Sequence, residues 1–493
     1  MVGKVQTRRG LSLALATQLL VRGLGFAGSI VVAAGLARGL GHDSFGQFSL
    51  ILMLVGVATN IGDLGLTSTV VRQLSVHPEA QSETVGALVL ARIVTGVLGA
   101  VFVVATVAAL EQSPAARLVG ILAGATLLLV PLASLQAVGQ AKLRIGAQNV
   151  LILLQSVLWT GTVVVLAFLQ ASLVVFGIGF FVTSAIQSVL TWALFRGLVK
   201  ISFRGALAAL RTVVRIAVPI AVGALFVTSY YRAGAILLYH FRGAGEVADF
   251  AAASRFLDIL QVVPATLLAV LLPLLSSTWR SNSSDVDSPD VGSPDMLGRR
   301  ARLFALALKL IMVAALPLTA GAALLSDQLI RLVYGSEFGE AGPVLTVLIL
   351  SFPAICAGYM AVGLALASGR TLLYCSVSAA AAVASVPANL LLIPVGGGIA
   401  TAWITVGTEY AVSIVLLSVL RRGAGVGFPV RSWVGTALAT AGMLLALAPL
   451  HEGPLALSVP LGALVFGLGA VVFRAITLDD VRVLIDRRQQ DWL

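Results

Sequence analysis

Eight charged side chains stand inside long apolar runs: Arg22, Asp63, Arg92, Arg232, Arg255, Asp258, Lys309 and Glu409. A charge at mid-bilayer costs at least about 2.5–3.5 kcal/mol on insertion scales, so such residues face a wet cavity, pair with one another, or reach an interface. Their chemistry divides by sign. A guanidinium offers a planar donor fork that fits an oxyanion. A desolvated carboxylate holds a proton more tightly and suits proton coupling, or stays neutral and hydrogen-bonded. Five of the eight are basic and three acidic, which favours an anionic over a cationic ligand. Bond-making chemistry has no comparable signal. Cys356 and Cys375 lie in apolar runs, and the four His residues show no metal-ligand spacing. No metal, cofactor or catalytic residue is expected.

The elements that must position these charges are membrane helices. The 493 residues are 59% hydrophobic and only 11% charged, against about 25% charged in ordinary soluble domains. A soluble surface could not cover so much apolar area. A span needs about 20 apolar residues, and fourteen segments qualify: 11–36, 46–69, 85–110, 117–139, 147–169, 172–195, 213–239, 255–279, 303–326, 343–368, 372–394, 398–420, 433–450 and 456–474. The first run is too long for a signal-peptide core, so it is read as a true span. The net charge of +11 sits mostly in short segments between spans, so nucleic-acid binding is not expected. With the N-terminus inside, inner segments hold twenty-three Lys and Arg, and outer loops only Arg38, Arg117, Arg242 and Arg331. The positive-inside rule then places both termini in the cytoplasm.

The fold class read from this pattern is all-α and polytopic. Residues 1–197 hold spans one to six. A basic amphipathic linker at 198–212, part of LVKISFRGALAALRTVVR, is expected on the inner membrane surface. Residues 213–422 hold spans seven to twelve, with a Ser/Asp/Pro-rich loop at 281–298 that cannot bury a core and is expected to be disordered. Residues 423–493 hold two further spans and a tail. GHDSFGQF (41–48) before span two resembles GAGEVADF (243–250) before span eight, matching Gly41 with Gly243 and Phe48 with Phe250. Two parallel six-helix repeats would follow, an arrangement found in alternating-access transporters. Pro219, Pro264, Pro273, Pro317, Pro353 and Pro387 fall within or near spans, where they kink helices.

A series of short motifs runs in register with the spans: Phe45-Gly46-Gln47-Phe48-Ser49-Leu50, Gly62-Asp63-Leu64-Gly65-Leu66 and Arg72, then EVADFAAASRF (246–256) and Leu272-Pro273. Tyr334-Gly335-Ser336-Glu337-Phe338, Ala367-Ser368-Gly369-Arg370, Asn389 to Pro394, Gly396-Gly397-Gly398 and Ala400-Thr401-Ala402 follow. Together they resemble the polysaccharide-transporter, or Wzx-type oligosaccharide flippase, family of the multidrug/oligosaccharidyl-lipid/polysaccharide superfamily. Ala248 and Phe250 depart from the Gly and Tyr usual there. The resemblance implies two pseudo-symmetric six-helix lobes around a central cavity, plus two extra C-terminal helices. It implies movement of a polyprenyl-diphosphate-linked oligosaccharide from the inner to the outer leaflet of the cell membrane, without catalytic residues or cofactor.

On that reading Arg22, near the middle of span one, grips the diphosphate, helped by Arg232 and Arg255. Arg232 follows Tyr230-Tyr231 and is equally a snorkelling interface residue, and Arg255 with Asp258 is equally a local ion pair capping span eight. Asp63 is expected to support helix packing or pair with Arg72, with proton coupling as the alternative. Glu409, halfway along span twelve, is the stronger coupling candidate, to H+ or Na+. Arg92 and Lys309 are expected to snorkel. The competing functions are a peptidoglycan-precursor flippase and an ion-coupled multidrug exporter. A membrane polymerase or ligase is disfavoured, because the longest outer loop has only about 16 residues.

Overall fold

The computed structural model describes residues 25, 28–63, 65–76, 81–110, 113–142, 144–268, 294–424, 429–450 and 453–475. Among these, every regular element is helical. Eleven helices are long and apolar enough to cross a membrane. One of them, Thr371–Arg421, has 51 residues, or roughly 76 Å at 1.5 Å per residue, more than twice a hydrocarbon core of about 30 Å. It breaks at Gly397, whose φ of 54° and ψ of −138° are non-helical, and so carries spans eleven and twelve. Span seven lies in Ala206–Arg242, and the described part of span one is Gly28–Leu40. Over its described residues each of the fourteen expected spans therefore falls on a helix, and the chain is a multi-pass membrane protein.

The helix surfaces show which medium they face. On Gln81–Leu110, Val94, Leu98 and Val101 are 57%, 64% and 61% exposed. They lie at i, i+4 and i+7, one stripe of the helix. Leu88, Ala91, Val103 and Val107 of the same helix are buried. A fully apolar stripe facing outward is unfavourable in water and neutral in lipid. Within the spans, breaks have local causes. Span four divides into Pro114–Leu127, Val130–Ala133 and Gln136–Ala141, and Pro131 at its centre lacks the N–H that would continue the ladder. Span ten begins as Ala341–Leu348, passes through a 3-10 turn at Ile349–Ser351, and resumes as Phe352–Ala367 with Pro353 in its first turn.

The chain forms two compact units, one of residues 1–248 with 333–337, the other of 249–332 with 338–493. Span seven belongs to the first unit because Ala206–Arg242 packs along Gln81–Leu110 and His42–Asp63. Its helix starts at Ala206, so residues 206–212 of the amphipathic linker run continuously into span seven. Residues 281–293 lie outside the described residues, and the next helix already starts at Pro294, a favoured first position. The expected loop at 281–298 is therefore helical over its last five residues.

The matched turns before spans two and eight each hold a glycine with positive φ. Gly41 and Gly243 have φ of 76° and 85°, a range that glycine adopts without steric penalty; Gly243 has ψ of −170°. Phe48 and Phe250 are both buried. The two turns also meet: a Cβ on Gly46 would lie 2.0 Å from the Ala244 carbonyl oxygen and 3.2 Å from the Ala248 nitrogen. Position 46 is the counterpart of 248 in the repeat, so a residue contacts its own equivalent, as at a two-fold interface.

Candidate functional site

The first unit holds a closed polar triangle. Asp63 ends the helix His42–Asp63, Gly65 turns the chain with φ of 72°, and Thr67 lies in the first turn of Leu66–Val76. Arg92 projects from Gln81–Leu110 and is 6% exposed. Its Nη2 donates to Asp63 Oδ1 and, at 2.7 Å, to Thr67 Oγ1. The Thr67 hydroxyl donates in turn to Asp63 Oδ1. This corrects two expectations. Arg92 does not snorkel, because its face of the helix is buried beside Leu88 and Ala91 and a carboxylate waits there. Asp63 pairs with Arg92 rather than Arg72, which is exposed. The guanidinium charge is neutralised in place, so the triangle fastens the ends of spans two and three and presents no net positive charge to an anion.

The second unit gathers a different set. Glu409 is 4% exposed in the middle of span twelve. One turn later on the same face, Ser413 donates a 2.6 Å hydrogen bond to the Ala354 carbonyl of span ten. Gly358 permits this approach: a Cβ there would lie 3.0 Å from Ser413 Oγ. Glu409 thereby faces Phe352–Ala367, and both Glu409 and Asp258 come close enough to act electrostatically on Tyr359. Tyr374 also lies within electrostatic range of Glu409. Glu409 and Asp258, 151 positions apart in sequence, thus share one neighbourhood with a phenol that the sequence did not single out. Carboxylates and tyrosine hydroxyls have the donor and acceptor chemistry to hold a proton or a small cation.

The remaining cations are arranged otherwise. Arg232 is half-buried on Ala206–Arg242, after Tyr230 and Tyr231, whose rings lie 5.0 Å apart. Arg255 and Asp258 are both exposed on Ala244–Leu260. Among the described residues no ion pair is formed by Arg232 or Arg255, so the capping pair expected between Arg255 and Asp258 is not made. Lys309 is half-buried on Pro294–Leu324. Arg242, at the turn between spans seven and eight, is paired with Glu246 at 3.1 Å. Arg22 lies outside the described residues. Sequence spacing could have found Thr67, one turn beyond Asp63, but carried no signal for Tyr359.

Residues 7–279 match the family model described as polysaccharide biosynthesis protein. No curated protein matches the chain. Among solved structures, the chain is similar to the lipid II flippase MurJ in an inward closed conformation, with a TM-score of 0.74 at 13% identity, covering 94% of this chain and 98% of that one. It is also similar to an inward-facing multidrug resistance MATE family transporter of the MOP superfamily, with a TM-score of 0.60 at 15% identity over 82% of this chain and 98% of that one. A MOP superfamily transporter from Pyrococcus furiosus, described as having a binding pocket whose reverse polarity suggests a different function, gives 0.59 at 14% identity over 84% and 95%. At these identities the likeness establishes the fold.

Proposed function

Because the chain belongs to the polysaccharide biosynthesis protein family, we propose that it translocates a polyprenyl-diphosphate-linked oligosaccharide from the inner to the outer leaflet of the cell membrane by alternating access. The observation that carries this reading is the contrast among the intramembrane arginines. Arg92 is neutralised by Asp63, whereas Arg232 and Arg255 form no ion pair among the described residues. A guanidinium kept unneutralised in a span is unfavourable unless an anion visits it. A diphosphate supplies two phosphoryl groups that match the donor fork. Arg22, outside the described residues, joins Arg232 and Arg255 on the strength of its place near the middle of span one. The polyprenyl chain stays in the bilayer while the two lobes rock around the head group.

Coupling falls to the second unit. Glu409 and Asp258, beside Tyr359, bind H+ or Na+ in one state and release it in the other, so that the ion gradient drives the cycle. Both termini are cytoplasmic, and transport proceeds without bond chemistry. A lipid II-type precursor carries the same diphosphate, and the MurJ fold similarity makes it the nearest alternative cargo.

Proteoliposomes containing the full chain test this reading. We expect uptake of polyprenyl-diphosphate-linked oligosaccharide across the bilayer, and at least a tenfold loss for Arg232→Gln combined with Arg255→Gln at equal reconstitution. Transport of lipid II in place of the oligosaccharide would reassign the cargo. Export of a cationic drug, with neither lipid moved, would overturn the flippase reading.

A further inference from the structure

The connection between spans six and seven carries five cations and no acidic residue over positions 196–215: Arg196, Lys200, Arg204, Arg211 and Arg215. All five are exposed. Large apolar side chains are interleaved with them and also face outward: Ile201 at 37% exposure, Phe203 at 56%, Leu207 at 74% and Val214 at 37%. On the helix, Leu207, Arg211, Val214 and Arg215 share one face by their spacing. The other face is committed inward: Leu198, Val199, Leu210 and Val213 pack against Val85, Leu88 and Phe195.

This segment is fastened in place. The Ser202 amide donates to the Ser82 carbonyl at 3.1 Å, and Lys142 Nζ donates to the Leu198 carbonyl. A Cβ on Gly86 would lie 2.0 Å from the Ser202 carbonyl oxygen, so glycine is what lets the strap lie against span three. Glu83, an exposed acidic neighbour, sits beside Gly205 and offsets one of the five charges. The Arg196 guanidinium lies 4.4 Å from the Trp192 ring centroid, an aromatic and cation at interfacial depth. Depth follows from the helix itself. Arg211 is about 46 Å from Arg242 along the axis, while a bilayer with its headgroups is about 40–45 Å thick. The strip therefore stands at headgroup level on the side opposite Arg242.

We propose that residues 196–215 form a fixed binding surface for anionic phospholipid headgroups of the inner leaflet. Phe203 and Leu207 enter the acyl boundary, and the flanking cations hold the phosphates. A rigid row of like charges is self-repelling until anions sit among them, and exposed Phe and Leu are unfavourable until lipid covers them. The interleaving selects a lipid over a soluble phosphate, which would leave the apolar side chains in water. The inference rests on the membrane-spanning fold and is independent of the cargo.

The test is native mass spectrometry of the full chain, equilibrated with equimolar phosphatidylglycerol and phosphatidylcholine. Preferential retention of phosphatidylglycerol is expected, falling about fivefold for each cation removed in the series Lys200→Gln, Arg204→Gln, Arg211→Gln and Arg215→Gln. An undiminished preference in the fourfold variant would overturn the proposal. Displacement of phosphatidylglycerol by millimolar inorganic pyrophosphate would also overturn it, by revealing a soluble-phosphate site. If the fourfold variant does not fold, Phe203→Trp in the otherwise unaltered chain decides. Its added fluorescence should be quenched more by brominated phosphatidylglycerol than by brominated phosphatidylcholine, and equal quenching would refute the surface.

Discussion

Arg92 and Asp63 illustrate how much a membrane charge depends on its partner. Removing the carboxylate leaves a guanidinium at 6% exposure with only Thr67 to bond. Breaking a buried pair costs about 3–5 kcal/mol, and the Asp63 side chain is 36% exposed, so a loss of about 2–3 kcal/mol is expected for Asp63→Ala after allowing for solvent screening. Arg92→Met should cost less, because Asp63 can reach water, and the double variant should recover part of the loss. Thermal unfolding in detergent checks the order; equal losses for both single variants would contradict it. Glu409→Gln is expected to keep the thermal midpoint but remove the dependence of transport on an imposed ion gradient. Retained dependence would take coupling away from Glu409. The sequence displays every one of these charges because each interrupts an apolar run. It does not display their partners: Arg92 and Asp63 are 29 positions apart, and Tyr359 sits in a run where a phenol looks like ordinary apolar filling.

Helices were the most legible level, since a run of apolar residues long enough to span is its own signal. Their interruptions were less so. The break between spans eleven and twelve was visible in Gly396-Gly397-Gly398, and Gly397 takes a backbone conformation that glycine almost alone populates. Gly397→Val should therefore cost about 1–3 kcal/mol, read as a lower unfolding midpoint; an unchanged midpoint would mean that the kink can move to Gly396 or Gly398. The 3-10 turn at Ile349–Ser351 and the continuity of the amphipathic linker with span seven were not legible. Both depend on packing against neighbours rather than on local pattern. At the turn between spans one and two, Gly46→Leu places a side chain where the Ala244 carbonyl already lies. Backbone cannot yield there as a flexible side chain would. A loss of about 1–3 kcal/mol or more from overpacking is expected, with transport falling in parallel in proteoliposomes. Normal transport by Gly46→Leu would show that this contact opens freely.

For the whole molecule, one physical constraint recurs: a chain that puts charge into lipid must neutralise it, hydrate it or use it. The Asp63–Arg92–Thr67 triangle neutralises. In the proposed function, the Glu409–Asp258–Tyr359 neighbourhood uses a proton or cation, and Arg22, Arg232 and Arg255 use a diphosphate. The sequence echo at Gly41 and Gly243 falls on two glycines that both have positive φ. The central claim is the cargo, and the most direct test is the leaflet distribution of polyprenyl-diphosphate-linked oligosaccharides in cells lacking this protein and any redundant flippase. The account predicts complete repeat units trapped on the inner leaflet, loss of surface polysaccharide, and restoration by the unaltered chain but not by Arg22→Ala. Normal leaflet distribution and normal surface polysaccharide, together with altered sensitivity to cationic drugs, would contradict it.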